Sequence, residues 1–289
     1  MEAKHNTKVP ISPKLFLMVG VISFAFGAIL IRYSSAPSLA IAFYRLLFAA
    51  ILMALFGLIK LDALTKLNRI DFIVLILNGL VLAIHFALWI SSLNFTTVAA
   101  SVILVDTSPF FATFFAYLFL KEKVERRFII GLLLCFVGAI LILGTDISLG
   151  NIYGDILALG GAVLAGFYFY VGRNVRSRID FIPYVTYVYG FSALFLFLFM
   201  LAYNVPFTGY TETDFLIFLL LAIGPSCLGH NSYNYSLKYM KTSNVSATVY
   251  GEAFGSTLLA VLLFNETPSY LVIIGGALIL LGIYFAVIR

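Results

Sequence analysis

Apolar residues run along this chain in ten long stretches separated by short polar segments. They lie at about 15–32, 38–59, 70–93, 97–119, 127–144, 152–172, 184–203, 214–237, 243–263 and 270–288. Each has roughly the 20 residues that carry a helix across a hydrocarbon layer of about 30 Å. Backbone N–H and C=O groups find no water there, so such stretches must be helical. A spanning barrel would instead alternate at period two, and nothing here does. The pattern predicts an all-α integral membrane protein with ten transmembrane helices. Lys4, Lys8 and Lys14 before the first run, and Ser34, Ser35 and Ala36 after it, also match a signal peptide. The repeat described below needs that helix as a member, so it is read as the first span.

The polar breaks give an orientation. With the N-terminus in the cytoplasm, one side carries Lys4, Lys8, Lys14, Lys60, Lys66, Arg69, Lys121, Lys123, Arg126, Arg127, Arg173, Arg176, Arg178, Lys238, Lys241 and Arg289, that is 16 of 18 basic residues. The other side carries Arg32, and Arg45 falls within the second run. Basic loops stay inside. Both ends are therefore expected in the cytoplasm of a multi-pass plasma-membrane protein, with residues 1–14 as a cytoplasmic tail.

Composition agrees with that reading. Of 289 residues 62% are hydrophobic and 11% charged, against about 25% charged in ordinary soluble domains. Ten spans and their loops use the whole length, which leaves one membrane domain. The net charge of +5 does not imply nucleic acid, because position matters more than the sum. Cys135 and Cys227 both sit in apolar runs, so neither a disulfide nor a metal site is expected.

A shift of 144 residues aligns the third-to-fifth runs with the eighth-to-tenth without a gap. Ser92, Leu93, Val105, Thr113, Ala116, Leu118, Glu122, Ile129, Ile130, Gly131, Leu134 and Gly138 meet Ser236, Leu237, Val249, Thr257, Ala260, Leu262, Glu266, Ile273, Ile274, Gly275, Leu278 and Gly282. Both "FLKE" (119–122) and "LFNE" (263–266) break an apolar run at the same register. Five helices per half is an odd number, so the second half enters from the opposite face. The expected architecture is a 5+5 inverted-topology repeat, with residues 15–144 and 152–288 as its halves. Secondary transporters commonly use this plan, with the solute at the repeat interface near the midplane.

The stretch "HFALWISSLNFTTVAASVILVDTSPFFATFFAYLFLKEKV" (85–124) resembles the first half of an EamA-type member of the drug/metabolite transporter superfamily. "GHNSYNYSLKYMKTSNVSATVYGEAFGSTLLAVLLFNE" (229–266) resembles the second. The resemblance runs from Phe16 to Val287. It implies a ten-helix transporter whose central cavity is lined by helices one, three, four, six, eight and nine. It also implies that helices five and ten can sit at a homodimer contact. Two departures stand out. Members of this kind often carry an uncharged residue where this chain has Asp106, and Gly-Glu-Pro where it has Gly251, Glu252 and Ala253.

Ionisable residues within hydrocarbon are costly and mark function by default. Asp106 lies nine residues from the start of the fourth run, and Glu252 nine from the start of the ninth. Each is therefore about 14 Å deep. Two carboxyls reaching one depth from opposite sides suit proton binding or recognition of a cationic group. Thr248, Glu252 and Ser256 share a helix face. Thr107 and Ser108 follow Asp106, and Pro109 removes a backbone donor, which kinks the helix beside Asp106.

The eighth run aligns Cys227, His230, Asn231 and Asn234, and the third aligns Asn78, His85, Trp89 and Ser92. Both faces are read as cavity lining, with His85 and His230 as mates toward opposite gates. Hydrogen bonding between helices would use the same faces. Ser23, with Gly20 and Gly27, marks a small-residue face on the first run. Gly161, Ala162, Ala165 and Gly166 form another on the sixth, and Gly131, Gly138, Gly275, Gly276 and Gly282 do the same on the fifth and tenth. Arg45 is expected to snorkel to the interface. Tyr184, Tyr187 and Tyr189 are expected in an interfacial aromatic belt. Glu122 and Glu266, at helix ends, are read as structural.

No phosphate-binding Gly-Lys-Ser/Thr loop occurs, so ATP is not expected to drive the protein. No HExxH or GxSxG occurs either, and no cofactor is expected. The leading expectation is a secondary transporter for a small organic solute, with protons as the candidate coupling ion. The resemblance favours export of an amino acid or related metabolite. A passive inverted-repeat channel and an intramembrane enzyme are the alternatives.

The orientation is directly testable. A cysteine placed at Asp146 or Gly209 should react with an impermeant thiol reagent applied from outside, and one at Lys66 or Arg176 should not. The reverse pattern of labelling would overturn both the orientation and the inversion.

Overall fold

The structure is a computed structural model that describes residues 12–58, 67–120, 126–149, 151–236, 239 and 249–287. Every regular element among them is helical. In chain order they are α1 (Pro13–Ala25), α2 (Gly27–Tyr33), α3 (Ser38–Leu58), α4 (Arg69–Ser92), α5 (Val98–Val105), α6 (Ser108–Leu120), α7 (Arg126–Leu149), α8 (Ile152–Val175), α9 (Phe181–Ala202) and α10 (Glu212–Leu221). A π-helical segment (Ala222–His230) leads into α11 (Asn231–Ser236), followed by α12 (Val249–Phe264) and α13 (Tyr270–Val287).

Seven helical stretches are long and apolar enough to cross a membrane: Pro13–Tyr33, Ser38–Gly57, Arg69–Ser92, Val98–Phe119, Ile152–Val175, Phe181–Ala202 and Glu212–Ser236. The fifth, ninth and tenth apolar runs appear as the shorter apolar helices Ile129–Leu143, Gly251–Phe264 and Tyr270–Phe285. Large apolar side chains face outward along these elements, among them Leu15, Met18, Ile22, Leu55, Leu77, Phe136, Phe254 and Ile273. Arg45, Asn78, His85, Asp106, Asn231 and Glu252 are buried. An apolar sheath around a polar interior suits a lipid surrounding, and it would leave a water-soluble protein with an extended exposed apolar surface.

Helix ends are fixed by side chains, since the first N–H groups of a helix lack partners. Asn68 Oδ1 accepts from the Asp71 N–H (2.8 Å) at the start of α4, and the Arg178 guanidinium just beyond α8 donates to Asp71 Oδ1 (2.9 Å). At the start of α10, Thr211 and Asp214 form a reciprocal capping box. There Asp214 also accepts from the hydroxyls of Ser34 (2.7 Å) and Ser35 (2.9 Å), just beyond α2. Thus α4 is pinned to the end of α8, and α10 to the end of α2, by an aspartate at the same helical position.

The predicted small-residue faces are packing surfaces within the chain. α7 packs along α13, with Gly138 against the backbone of Gly275 and Gly282 against that of Gly131. These glycines are therefore occupied by packing within the chain. α8 is held between α4 and α6, because Gly161 lets Trp89 approach and Gly166 admits Phe111 and Ala112.

The glycine contacts predict a graded response. A Cβ at Gly138 would lie 2.5 Å from the Gly275 carbonyl oxygen, and backbone cannot yield as a side-chain tip can. A Cβ at Gly190 would meet nothing within 4 Å. Gly138→Val should lower thermal stability in detergent by about 1–3 kcal/mol, whereas Gly190→Ala should leave it unchanged or slightly raised. Equal behaviour of the two would contradict the α7–α13 packing.

Candidate functional site

Three of the long helical stretches are interrupted, and each interruption brings polar groups inward. The first breaks at Phe26, between α1 and α2, where the chain departs from regular helix. The Ser256 hydroxyl on α12 donates to the Ala25 carbonyl at that break (3.2 Å). Another breaks at Asp106 and Thr107, between α5 and α6, just before Pro109. The Thr107 hydroxyl donates to the Leu104 carbonyl there (2.7 Å), so the kink expected from Pro109 is present. The third is the π-helical segment around Pro225. Widened turns of this kind recur at functional sites.

Arg45, on α3, reaches the third of these breaks and is fully buried. Its Nε–H donates to Ser226 Oγ on the π-helical segment (2.7 Å). Its guanidinium carbon lies 4.3 Å from the centre of the Phe86 ring and 5.8 Å from that of Trp89. Nη1 and Nη2 have no hydrogen-bond partner among the described residues. The expected snorkelling is therefore wrong. The face of α3 that bears Arg45 packs inward against α4, α9 and the π-helical segment, which leaves the side chain no route to an interface.

His85 and His230 meet in the same cluster, with ring centres 6.4 Å apart. This corrects the assignment of one histidine to each end. Each lies only about one to two turns beyond the middle of its helical stretch, so the two faces converge. His85 Nδ1 donates to the Gly161 carbonyl (2.9 Å), because only a protonated nitrogen can bond a carbonyl oxygen. The His85 ring stacks parallel to Trp89. His230 is enclosed by Phe24, Phe86, Tyr168 and Phe169. The Trp89 indole N–H and His230 Nδ1 are buried without a partner among the described residues.

A second layer of hydrogen bonds adjoins this cluster. Asn78 Nδ2 donates to the Tyr184 hydroxyl and Asn234 Nδ2 to the Tyr168 hydroxyl, each at 3.0 Å. The two tyrosines are hydrogen-bonded to each other. The Tyr189 hydroxyl donates to Asn231 Oδ1 (2.9 Å), and Asn231 Nδ2 contacts Met53 Sδ (3.3 Å). Tyr184 and Tyr189 are buried, so two of the three tyrosines expected in an interfacial belt are interior. Burial of a Tyr ring requires a partner for its hydroxyl, and the asparagines on α4 and α11 supply it.

Asp106 and Glu252 are both buried and interact electrostatically with each other. Glu252 also feels the charge of Arg45. Asp106 Oδ2 has no partner among the described residues. Of the other expected site residues, Ser256 is taken up by the Ala25 carbonyl, and Ser23 is only partly buried on α1. Thr248 lies outside the described residues, as does Glu122. Sequence reasoning missed Arg45, Tyr168, Tyr184, Tyr189 and Ser226 as members of the cluster. The available signal was a charged residue in mid-run, together with the run of tyrosines.

Helix ends are joined by a separate polar clasp. Arg32, at the end of α2, donates to Glu266 beyond α12 and to the Leu93 carbonyl. Glu266 Oε2 also accepts from the Val98 N–H at the start of α5 (3.0 Å). Glu266 thus ties the segment after α12 to α2 and to the start of α5.

The chain matches the family described as "EamA-like transporter family" twice, over residues 12–144 and 152–288. It is 23% identical over 291 residues to the Uncharacterized transporter YdfC of Bacillus subtilis, covering 99% of this chain and 93% of that one. It is 28% identical over 273 residues to the Pseudopaline exporter CntI of Pseudomonas aeruginosa, covering 92% and 93%. A solved crystal structure shares the fold with a TM-score of 0.70 at 18% identity, covering 95% of this chain and 96% of the other.

The tyrosine layer can be tested by removing one hydroxyl. Tyr189→Phe leaves the buried Asn231 oxygen without its donor and should cost about 1–3 kcal/mol of stability, read as a lower melting temperature of the purified protein. Tyr187→Phe, on a partly buried ring, should have a smaller effect. An unchanged melting temperature for Tyr189→Phe would show that this hydrogen bond is not made.

Proposed function

The chain belongs to the EamA-like transporter family, and on that basis we propose that it is a secondary-active transporter of a small organic solute, working by alternating access. The observation that carries this reading is the polar cluster itself. Arg45, Asp106, Glu252, Trp89 and His230 are buried inside an apolar sheath, with Asp106 at one helix break and Arg45 bonded to another, and several of their polar atoms lack partners among the described residues. A bundle that only had to fold would have little use for unsatisfied charge in a low-dielectric interior.

The two halves are an inverted five-plus-five repeat in this reading. The double family match supports it, as do the paired anchors Asp71–Arg178 and Asp214–Ser34. A shift of 144 brings Arg178 onto Ser34, so the two anchors join equivalent helix ends. With both termini in the cytoplasm of the plasma membrane, the Arg32–Glu266 clasp lies at the outer end. The described conformation is then closed toward the outside, and transport requires that clasp to part. The named exporter among the relatives favours export, and an amino acid or similar metabolite fits the cluster's charges.

Uphill movement needs a driving ion, and Asp106 and Glu252 are the proposed proton carriers. Burial disfavours the charged form of a carboxyl group, and alternating access exposes the same group to each side in turn. Protons and solute could then exchange across one site.

Asp106→Asn and Glu252→Gln should insert and purify like the wild type. At least one should abolish solute accumulation driven by a pH gradient in proteoliposomes while retaining solute exchange, which needs no net proton movement. Wild-type flux indifferent to the gradient, or accumulation by both variants, would replace proton coupling with facilitated diffusion.

A further inference from the structure

The two ends of the bundle carry matching anchors but unequal arginines. The anchors Asp71–Arg178 and Asp214–Ser34 are both made, so they do not distinguish one end from the other. Two residues before each anchor partner stands an arginine, Arg32 before Ser34 and Arg176 before Arg178, and the shift of 144 pairs the two. Arg32 reaches far along the chain. It donates to Glu266, 234 residues away, and to the Leu93 carbonyl. Arg176 bonds only within its own turn. Its Nη1 donates to the Ile179 carbonyl three residues on (2.9 Å), and its guanidinium carbon lies 5.4 Å from the centre of the Phe181 ring. Arg176 Nε is buried without a partner among the described residues. A buried guanidinium N–H without an acceptor is costly, so this arrangement leaves Arg176 with a bond still to make.

One arginine is thus engaged between the two halves, and its mate is not. Rocking one repeat against the other shuts one end as it opens the opposite one. In an inverted repeat the two shut ends are built from equivalent residues. We propose that Arg32 and Arg176 are alternating latches. Arg32 holds its end shut in the described conformation, and Arg176 leaves the Ile179 carbonyl to tie the second half to the first when the opposite end shuts. The acid that receives Arg32 is repeated in the sequence, because Glu122 is the register mate of Glu266. The anchors, made at both ends at once, persist while the arginines exchange. Each latch stabilises one conformation only, so the pair sets the balance between the two. Neither arginine belongs to the buried cluster around Arg45, and solute choice is left to that cluster.

The inference rests on the alternating-access reading above, and its test needs no solute. In a background with Cys135 and Cys227 replaced by alanine, Ala28→Cys places a reporter one turn before Arg32 on the same face of α2. Ala28 is 1% exposed, so a bulky thiol reagent reaches the new cysteine in purified protein only when the Arg32 end opens. Arg32→Gln should raise the labelling rate about tenfold, the effect on the equilibrium of losing a charge-assisted hydrogen bond. Adding Arg176→Gln to Arg32→Gln should bring the rate back toward that of the parent, because each change removes a tie from a different conformation. This is the decisive comparison, since the rate in Arg32→Gln is high enough to fall. If Arg176→Gln does not purify, Arg176→Lys should act in the same direction by less, because an ammonium lacks the guanidinium fork. Arginines that only held the fold together would behave differently: each variant would raise labelling, and the double variant would raise it most. That pattern, or a rate indifferent to Arg176, overturns the latches and leaves the transport reading to its own proteoliposome test. The expected labelling pattern in a protein that moves no solute in that test upholds the latches and overturns transport.

Discussion

In hydrocarbon, every backbone group that leaves a regular helix must find a partner inside the protein. That constraint organises this molecule. Each interruption lies beside a polar side chain that bonds the local backbone. Ser256 reaches the Ala25 carbonyl at the first. Thr107 turns back on Leu104 at the second. At the third, the Ser226 hydroxyl receives the Arg45 Nε–H, and the Tyr189 hydroxyl, which donates to Asn231, lies 3.3 Å from the Ser226 carbonyl. The polar groups that accompany the breaks are buried. Broken helices and the polar cluster are two sides of one arrangement.

The clasp at the Arg32 end serves a different purpose. It joins α2, the start of α5 and the segment after α12 through one arginine and one glutamate. Nearby, the Thr96 hydroxyl donates to Asp155 on α8 (2.8 Å). Four elements from distant parts of the chain are thereby tied at one level. The apolar glycine contacts between α7 and α13 lie away from these polar ties. The bundle is thus held by polar ties at both ends, with Asp71–Arg178 at the other, and by close backbone packing between α7 and α13.

Much of this was legible in the sequence. Helices follow from run length alone, and the acids in mid-run pointed to Asp106 and Glu252. Pro109 marked the break beside Asp106, and the histidine and asparagine faces are buried. What failed was depth measured along one helix at a time. Arg45 is close enough to the end of its run to snorkel if the helix stood alone, but α4 and α9 cover that face. Tyr184 and Tyr189 look interfacial by position, yet their hydroxyls are met by asparagines from other helices. The break at Phe26 has no proline to announce it, since its freed carbonyl is answered by Ser256 from far along the chain.

The permanent charge on Arg45 has an electrical consequence. When one end of a transporter is open to water and the other closed, the membrane potential falls mainly across the closed end. Switching access then moves the field past the site, even if the site's atoms hardly shift. Each net elementary charge at the site contributes about 2.3 kcal/mol per 100 mV to that step. Arg45 with one ionised acid is neutral, and with both acids protonated it is +1. In the proposed proton-coupled cycle, the voltage sensitivity of each half would therefore count the protons bound in that half.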